Sequence, residues 1–412
     1  MKRTILHSDL NAFYASVEIM LDPSLRGKAV AVCGSTEERH GIVLAKSELA
    51  KKAGIKTGMV NWEARQKCPG LIMVPPQYEE YLKVSQLVRA IYGRYTDQVE
   101  PFGMDEAWCD VSGSACMGSG VDIAEEIRQA VKEELGLTVS IGVSFNKIFA
   151  KLGSDMKKPD AITVITEENF REKVWPLPAS DMIYVGRSTC RKLANLAIYT
   201  IGDIANTPPD VLKHLLGING LALLQFASGR DTSRVMHRDF ESPVKSVGHG
   251  ITCNRDVETE NEAWLVLLAL SQDIGHRLRI HSLSAGGVQL TIKDNELNYR
   301  QCQAPLRLPT QSPLEIAQEA RRLLHGNYSW NKPVRALTVR GINLASQKEP
   351  LQWDFFNDAA RHEKRQIADD TVDMLRGRFG MNCVIPSSLV KHTLTEKSDP
   401  HDLVRMPGMM FQ

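Results

Sequence analysis

The 412-residue sequence predicts a multidomain α+β protein. The chain is longer than one hydrophobic core usually serves, so several domains are expected. Its first 165 residues alternate strand-like and helix-like apolar patterns, and a glycine- and proline-broken helical stretch follows at 166–235. Residues 243–345 then read as a separate βαββαβ unit.

The elements follow in order. TILHSDL, KAVAVC, GIVLA and LIMVP are apolar runs of strand length, whereas AFYASVEIML, SELAKKAG and YEEYLKVSQLVRAIYGRY carry helical periodicity. Strand candidates surround VEPFG and MDEAWCDVSG. After them come a helix VDIAEEIRQAVKEELG ending at Gly136, a strand LTVSIGVS, a helix NKIFAKLGSDM and a strand AITVI. Helices segregated to one side of these strands would give a ferredoxin-like layer. In the helical module, VGRSTCRKLANLAI and LLGINGLALLQFA each set a glycine-containing turn between apolar helical runs, the pattern of a helix-hairpin-helix. Such hairpins offer backbone N–H groups, here around Gly186, Arg187, Gly217 and Gly220, to DNA phosphate. A plain helical bundle with tight turns has the same pattern.

The polar, proline-containing link HRDFESPVKS leads into the third domain, as a boundary should. That domain reads strand (VKSVGHGITCN), long helix (ENEAWLVLLALSQDIGHRLRI), two strands (GGVQLTIKD, YRQCQAPLRL), helix (SPLEIAQEARRLLHG) and strand (RALTVRGINLA). A connector, an aromatic patch LQWDFF and an amphipathic helix near AARHEKRQIADDTVDMLRGRFG, closed by Gly380, end the chain.

Composition narrows the class. No apolar run approaches the roughly 20 residues that span a bilayer, and an aspartate comes too early for a signal peptide, so no membrane partner and a cytoplasmic location are expected. Eight scattered cysteines without a C-x-x-C pair suit reduced thiols, not a disulfide frame or zinc site. The net charge of +1 carries no polyanion footprint, and even residues 241–345 hold only 12 Lys and Arg against 10 Asp and Glu. Function must be read from local patterns.

Three acids stand out: Asp9 closing the first strand, and the adjacent pair Asp105 and Glu106. Clustered carboxylates are what hard divalent cations need, and two such ions can clamp the attacking and leaving oxygens of phosphoryl transfer. Neighbouring strand residues point to opposite faces, so both acids of the pair can serve one site only at a turn. Gly103 before them, and strand-like runs on either side, make GMDE the turn of a hairpin. Lys147, Lys151, Lys157 and Lys158 cluster in SFNKIFAKLGSDMKKPDAI, able to neutralise phosphate oxygens or simply to form a solvated helix face.

HSDLNAFYASVE, GMDEAWCDVSG, SIGVSFNKIFAKLGSDMKKPDAI and the helical hairpins, in this order, resemble the Y-family, translesion DNA polymerases. The resemblance implies a right-hand polymerase: palm at 1–10 and 77–165, small fingers at 11–76, thumb at 166–235, little finger at 243–345 and a tail at 346–412. It makes Asp9, Asp105 and Glu106 the catalytic metal-binding carboxylates, with the Leu10 carbonyl a further ligand, for two Mg²⁺ ions that Mn²⁺ can replace. Tyr14 takes the position of a steric gate against ribonucleotides; Asn11, Phe13, Ser47, Lys51 and Lys158 complete the implied dNTP site. Ile42 takes the place of a roof residue over the nascent base pair. Primer–template DNA would be gripped by the thumb hairpins and by Lys245, Arg255, Arg335 and Arg340 of the little finger. Gln352, Trp353, Asp354, Phe355 and Phe356 resemble the peptide by which bacterial polymerases dock to the sliding clamp.

The sequence also departs from the family pattern. Where many members carry a tyrosine and an arginine that grip the triphosphate, Glu48 and Lys51 stand here, and Asn11 replaces a second acid near Asp9. This segment is more similar to the catalytic subunit of bacterial DNA polymerase V than to polymerase IV; length and little-finger spacing suit either. The expected activity is low-fidelity translesion synthesis during DNA repair by a monomer, with accessory mutagenesis proteins as further partners. An idle adaptor of the same fold is the alternative, and retention of all three acids favours the enzyme.

Overall fold

The computed structural model describes residues 3–37, 39, 41–347 and 359–390. Among the described residues, two compact units emerge: one from residues 3–34 and 42–242, the other from residues 243–390 together with the 35–41 loop.

The first unit is built on a five-stranded sheet. Its strands are β1 (Ile5–Leu10), β5 (Val99–Phe102), β6 (Glu106–Asp110), β7 (Val139–Ser144) and β8 (Ile162–Val164), in the order β5-β6-β1-β7-β8. All six residues of β1 are buried, because β1 is central and both faces of the sheet are covered. On one face lie α1 (Phe13–Leu21), α4 (Tyr78–Tyr92) and α5 (Gly120–Leu135), packing Leu6, Leu10, Val139 and Ile141 against Val88, Ile91, Ile123 and Ile127. The left-handed Gly136 (φ +66°) closes α5 where the sequence predicts its end.

The other face carries α6 (Lys147–Met156), so the helices are not segregated to one side as the ferredoxin-like expectation had it. Small residues make this second layer possible. A Cβ on Gly142 of β7 would stand 1.9 Å from the Ala150 carbonyl oxygen, and one on Gly153 would stand 3.1 Å from the Gly142 Cα. The helix therefore rests almost directly on the strand.

A small three-stranded sheet, β3-β2-β4, is formed by β2 (Val30–Cys33), β3 (Val43–Lys46) and β4 (Ile72–Val74). It is joined by α2 (Glu48–Lys52) and α3 (Asn61–Lys67) around Ala31, Val43, Ala50, Ile55 and Ala64. The helix α3, only seven residues long, is one that periodicity did not reveal.

The helical module comprises α7 (Phe170–Val174), α8 (Arg187–Ala194), α9 (Ile201–Asn206), α10 (Pro209–Leu216) and α11 (Ile218–Ala227). Its core is continuous with α6: Ile148, Phe149 and Leu152 pack with Val174, Leu193, Ile201 and Leu223. A strap at 230–240 then returns along the main sheet, where Val235 is buried with Ile5, Trp108 and Ala150, and the Met236 N–H donates to Glu100 Oε2 at 2.9 Å.

The second unit is the expected βαββαβ fold. Strands β9 (Val247–Val257), β10 (Leu283–Asp294), β11 (Tyr299–Thr310) and β12 (Val334–Ser346) form an antiparallel sheet in the order β11-β10-β12-β9. Helices α12 (Glu260–Ile280) and α13 (Pro313–Asn327) cover one face, over Val288, Leu290, Ile292, Leu337 and Val339. The last helix, α14 (Ala359–Phe379), docks on the helical layer through Asp373, which lies 3.0 Å from His276 Nδ1 and 2.6 Å from Arg279 Nε.

Candidate active site and nucleic-acid interface

Strand pairing assembles the three acids. In the β1–β6 ladder, Asp9 stands opposite Glu106 and His7 opposite Trp108, so Asp9 and Glu106 share the face that α6 covers. Asp105 lies in the turn between β5 and β6, after Gly103 at φ +84°, and Glu106 is the first residue of β6. The hairpin turn expected of GMDE is therefore present, and the alternation that would send the two acids apart does not apply. The Leu10 N–H donates to the Asp105 carbonyl at 2.9 Å, tying the turn to the end of β1.

Electrostatics mark the cluster. Burial, then Glu106 and Asp9, push Asp105 up to about 6. Asp9 is raised as well, by burial and by Glu106, against the pull of Lys158. Two lysines offset the charge. Lys151 Nζ lies 2.6 Å from Glu106 Oε2, and Lys158 Nζ lies 2.8 Å from Asp9 Oδ2 and 2.8 Å from Asp155 Oδ1. Burial alone would lower the Lys158 ammonium, but Asp9 and Asp155 outweigh it and hold it above the ordinary lysine value.

Among the described residues, no three His, Cys, Asp or Glu side chains converge as a ready ligand set for a metal ion. The donors nonetheless suit a hard divalent cation. They are buried carboxylate oxygens whose mutual repulsion raises two of them, and Glu106 Oε2 is buried without a hydrogen bond, meeting Lys151 only as an ion pair.

The structure sorts the remaining nucleotide-site expectations. Tyr14 is half-buried beside the acids; its ring stacks on Tyr81 at 4.3 Å between centroids, its hydroxyl meets Met104 Sδ at 3.8 Å, and burial followed by Asp105 pushes it up to about 12. Lys51 is exposed at the end of α2 and lies 3.6 Å from Glu48. Three residues turn inward instead. Phe13 is buried in the core against Tyr81. Asn11 is consumed by internal bonds: its Nδ2 donates to Ser140 Oγ and its Oδ1 accepts from the Asp160 N–H, both at 2.9 Å. Ser47 Oγ caps α2 and accepts the Val30 N–H at 3.0 Å. These side chains hold the scaffold around the site.

Sequence reasoning missed His7. It is fully buried, with Nδ1 2.8 Å from Ser154 Oγ and Nε2 3.3 Å from Glu106 Oε2. The Ser154 hydroxyl in turn donates to the Lys151 carbonyl at 2.7 Å, linking His7 to the helix that carries Lys151. Burial, the largest cause, holds His7 well below its ordinary value and hence neutral. The signal was available, since His7 is two residues before Asp9 and shares its face of the strand.

The expected DNA contacts also divide. Gly186 and Arg187 open α8 at the surface. Gly217 and Gly220 do not offer free donors: the Gly217 N–H closes α10 on the Lys213 carbonyl at 2.8 Å, and the Gly220 N–H bonds the Gly217 carbonyl at 3.1 Å. Gly220 lies buried inside α11, where a Cβ would stand 2.1 Å from the Leu212 carbonyl oxygen, so it serves helix packing.

In the second unit, the sheet face away from α12 and α13 is polar. Gln289 pairs in register with Gln303 and Arg340, and Thr291 with Gln301 and Thr338. Opposite Arg340 and Thr338 are Gly248 and Gly250, which have no side chains, and Lys293 lies farther along β10. These positions include no acid. Lys245 is exposed just before β9, and Arg335 is the extra residue of β12 where it pairs with β10. Arg255 is turned to Glu262 at the start of α12, so its charge is already compensated. The clamp-like peptide Gln352–Phe356 lies outside the described residues.

Comparison with known proteins gives this geometry its context. Residues 8–155 match the impB/mucB/samB family and residues 244–355 its C-terminal domain. The DNA polymerase IV of Acetivibrio thermocellus is 51% identical over 381 residues, covering 92% of this chain and 96% of that protein. DNA polymerase IV 1 of Bacillus subtilis is 36% identical over 394 residues, covering 94% of each. The 41–51 segment's likeness to polymerase V is thus local, set within a chain whose relatives bear the name polymerase IV. Among solved structures, a Y-family DNA polymerase chimera, Dbh-Dpo4(243-245)-Dbh, shares the fold with a TM-score of 0.73 at 23% identity, over 83% of this chain and 99% of that one. Family match, relatives and fold agree, and the chain belongs to the impB/mucB/samB family of Y-family DNA polymerases.

Proposed function

We propose that the protein adds deoxynucleotides to a primer 3′-OH under template direction, at low fidelity, as a translesion polymerase in DNA damage tolerance. The observation that carries this reading is the β1–β6 register, which sets Asp9 against Glu106 with Asp105 in the adjoining turn. Asp9, Asp105, Glu106 and the Leu10 carbonyl would hold two Mg²⁺ ions, with Mn²⁺ able to replace them. Bound there, the ions supply charge neutralisation of the phosphates and activation of the primer hydroxyl.

The chain's own residues do the rest. Lys158, next to Asp9, is within reach of an incoming triphosphate and exchanges one anion for another. Lys151 holds Glu106 in place as its ion-pair partner. Tyr14, fixed by its stack on Tyr81, crowds the sugar and disfavours ribonucleotides. Lys51, without the bidentate fork of an arginine, offers only a point charge to the triphosphate.

DNA is held by shape and backbone rather than by strong positive charge. The acid-free sheet face with Arg340 and Lys293, the nearby Lys245, and the exposed start of α8 at Gly186 and Arg187 support this. Gln352, Trp353, Asp354, Phe355 and Phe356 remain the proposed sliding-clamp peptide, and accessory mutagenesis proteins the proposed further partners.

Primer extension tests the reading. Wild type should extend a primer with Mg²⁺ and Asp105→Ala should not, while Tyr14→Ala should gain ribonucleotide incorporation. Equal extension by wild type and Asp105→Ala would leave the adaptor reading in place.

A further inference from the structure

We infer that a cavity on the outer edge of the main sheet is a second binding site, specific for a phosphate group carried by a nucleotide. It has a volume of about 430 Å³ and lies between the C-terminal half of α4, the edge strand β5 and Arg238 of the strap. Three guanidinium groups line it, those of Arg89, Arg94 and Arg238.

Their charges are unequally compensated. Arg94 is paired two-pronged with Glu134, at 2.5 and 2.7 Å. Arg238 has Asp239 at 4.0 Å, and His237 shares Asp239 and Asp97 at 3.3 and 3.5 Å. The Arg238 guanidinium leans over Gly93, where a Cβ would come 3.7 Å from its Nη1. Arg89 is half-buried and forms no ion pair among the described residues; its Nε and Nη2 donate to the Ser85 carbonyl at 3.3 Å and hydroxyl at 2.9 Å. A guanidinium drawn out of water without a counter-anion is costly, and its planar fork matches phosphate oxygens. Val99 and Pro101 add an apolar floor, and the volume is that of a small-ligand site.

This site is wired to the catalytic turn. Arg89 bonds Ser85 Oγ, and that hydroxyl bonds the carbonyl of Met104, the residue before Asp105. A phosphate on Arg89 therefore acts two hydrogen bonds from the acids. The phosphate can come from a free nucleotide or from a single DNA strand.

Isothermal titration of the full chain, in EDTA, with ADP and separately with the oligonucleotide dT6 tests the site. At least one probe should bind. Its affinity should fall by about tenfold or more in Arg238→Ala and in Arg89→Ala, as loss of a charge-assisted hydrogen bond predicts, and be unchanged in Lys158→Ala. Binding of ADP alone identifies a free nucleotide as the source; binding of dT6 identifies the strand. The inference is overturned if neither probe binds, if Arg238→Ala and Arg89→Ala bind as wild type does, or if Lys158→Ala abolishes binding, which would locate the ligand at the polymerase site.

Discussion

The Lys158 ammonium bridges Asp9 and Asp155, 2.8 Å from an oxygen of each. It occupies the carboxylate that the proposed divalent cation would also use, so lysine and cation would compete for Asp9 in the nucleotide-free protein. Lys158→Ala should therefore bind Mn²⁺ more tightly without nucleotide, while its KM for dNTP rises roughly tenfold, the worth of one charge-assisted bond. Electron paramagnetic resonance titration and steady-state extension measure the two effects. No change in either would remove Lys158 from the site.

Asp105 has a folded-state pKa of about 6, above its ordinary 3.8, so protonation favours the folded state. Its stabilising contribution is complete below about pH 4 and is lost as pH rises through about 6. In EDTA, Asp105→Asn should be more stable than wild type at pH 7 by roughly 3 kcal/mol, with the difference shrinking toward pH 4. Urea melts of both proteins across that range would show it; a difference independent of pH contradicts the assignment.

Two glycines of the helical module should respond unequally to alanine. At Gly220 the new methyl would overlap the Leu212 carbonyl, whereas at Gly186 nothing lies within 4 Å. Gly220→Ala should cost roughly 2–3 kcal/mol and Gly186→Ala less than about 0.5 kcal/mol, read by thermal denaturation.

On the second unit, Arg340→Ala should reduce the salt slope of DNA affinity by about one ion, whereas Arg255→Ala, whose charge Glu262 already meets, should leave the slope unchanged. Fluorescence anisotropy at several salt concentrations makes the comparison. Equal slopes for Arg340→Ala and wild type would rule out its phosphate contact.

Much of the fold was legible because local pattern and tertiary environment agree. The amphipathic α5 ends at Gly136, β1 forms within the run TILHSDL where a strand was expected, and GMDE carries the glycine its turn requires. The site was legible where the chemistry needs a charge: Asp9, Asp105 and Glu106 come together as their motifs imply. It was not legible where a polar side chain serves the scaffold. Asn11 reaches Asp160 across 149 residues and His7 reaches Ser154 across 147, and no local pattern announces such partners. The second helical layer escaped notice for a similar reason, since glycines 142 and 153 signal a close approach only once strand and helix are seen to face each other.

That close approach also limits how the enzyme can be redesigned. With the Ala150 carbonyl oxygen 1.9 Å from where a Gly142 side chain would begin, α6 cannot be raised, lowered or rotated by repacking beneath it. The depth at which Lys151 and Lys158 deliver their charge is then adjustable only at the tips, by exchanging side chains of different length. Exchanging Lys for Arg at these two positions would change the reach of the charge and Gln would remove it, while libraries aimed at the β7–α6 interface would yield misfolded chains rather than altered polymerases.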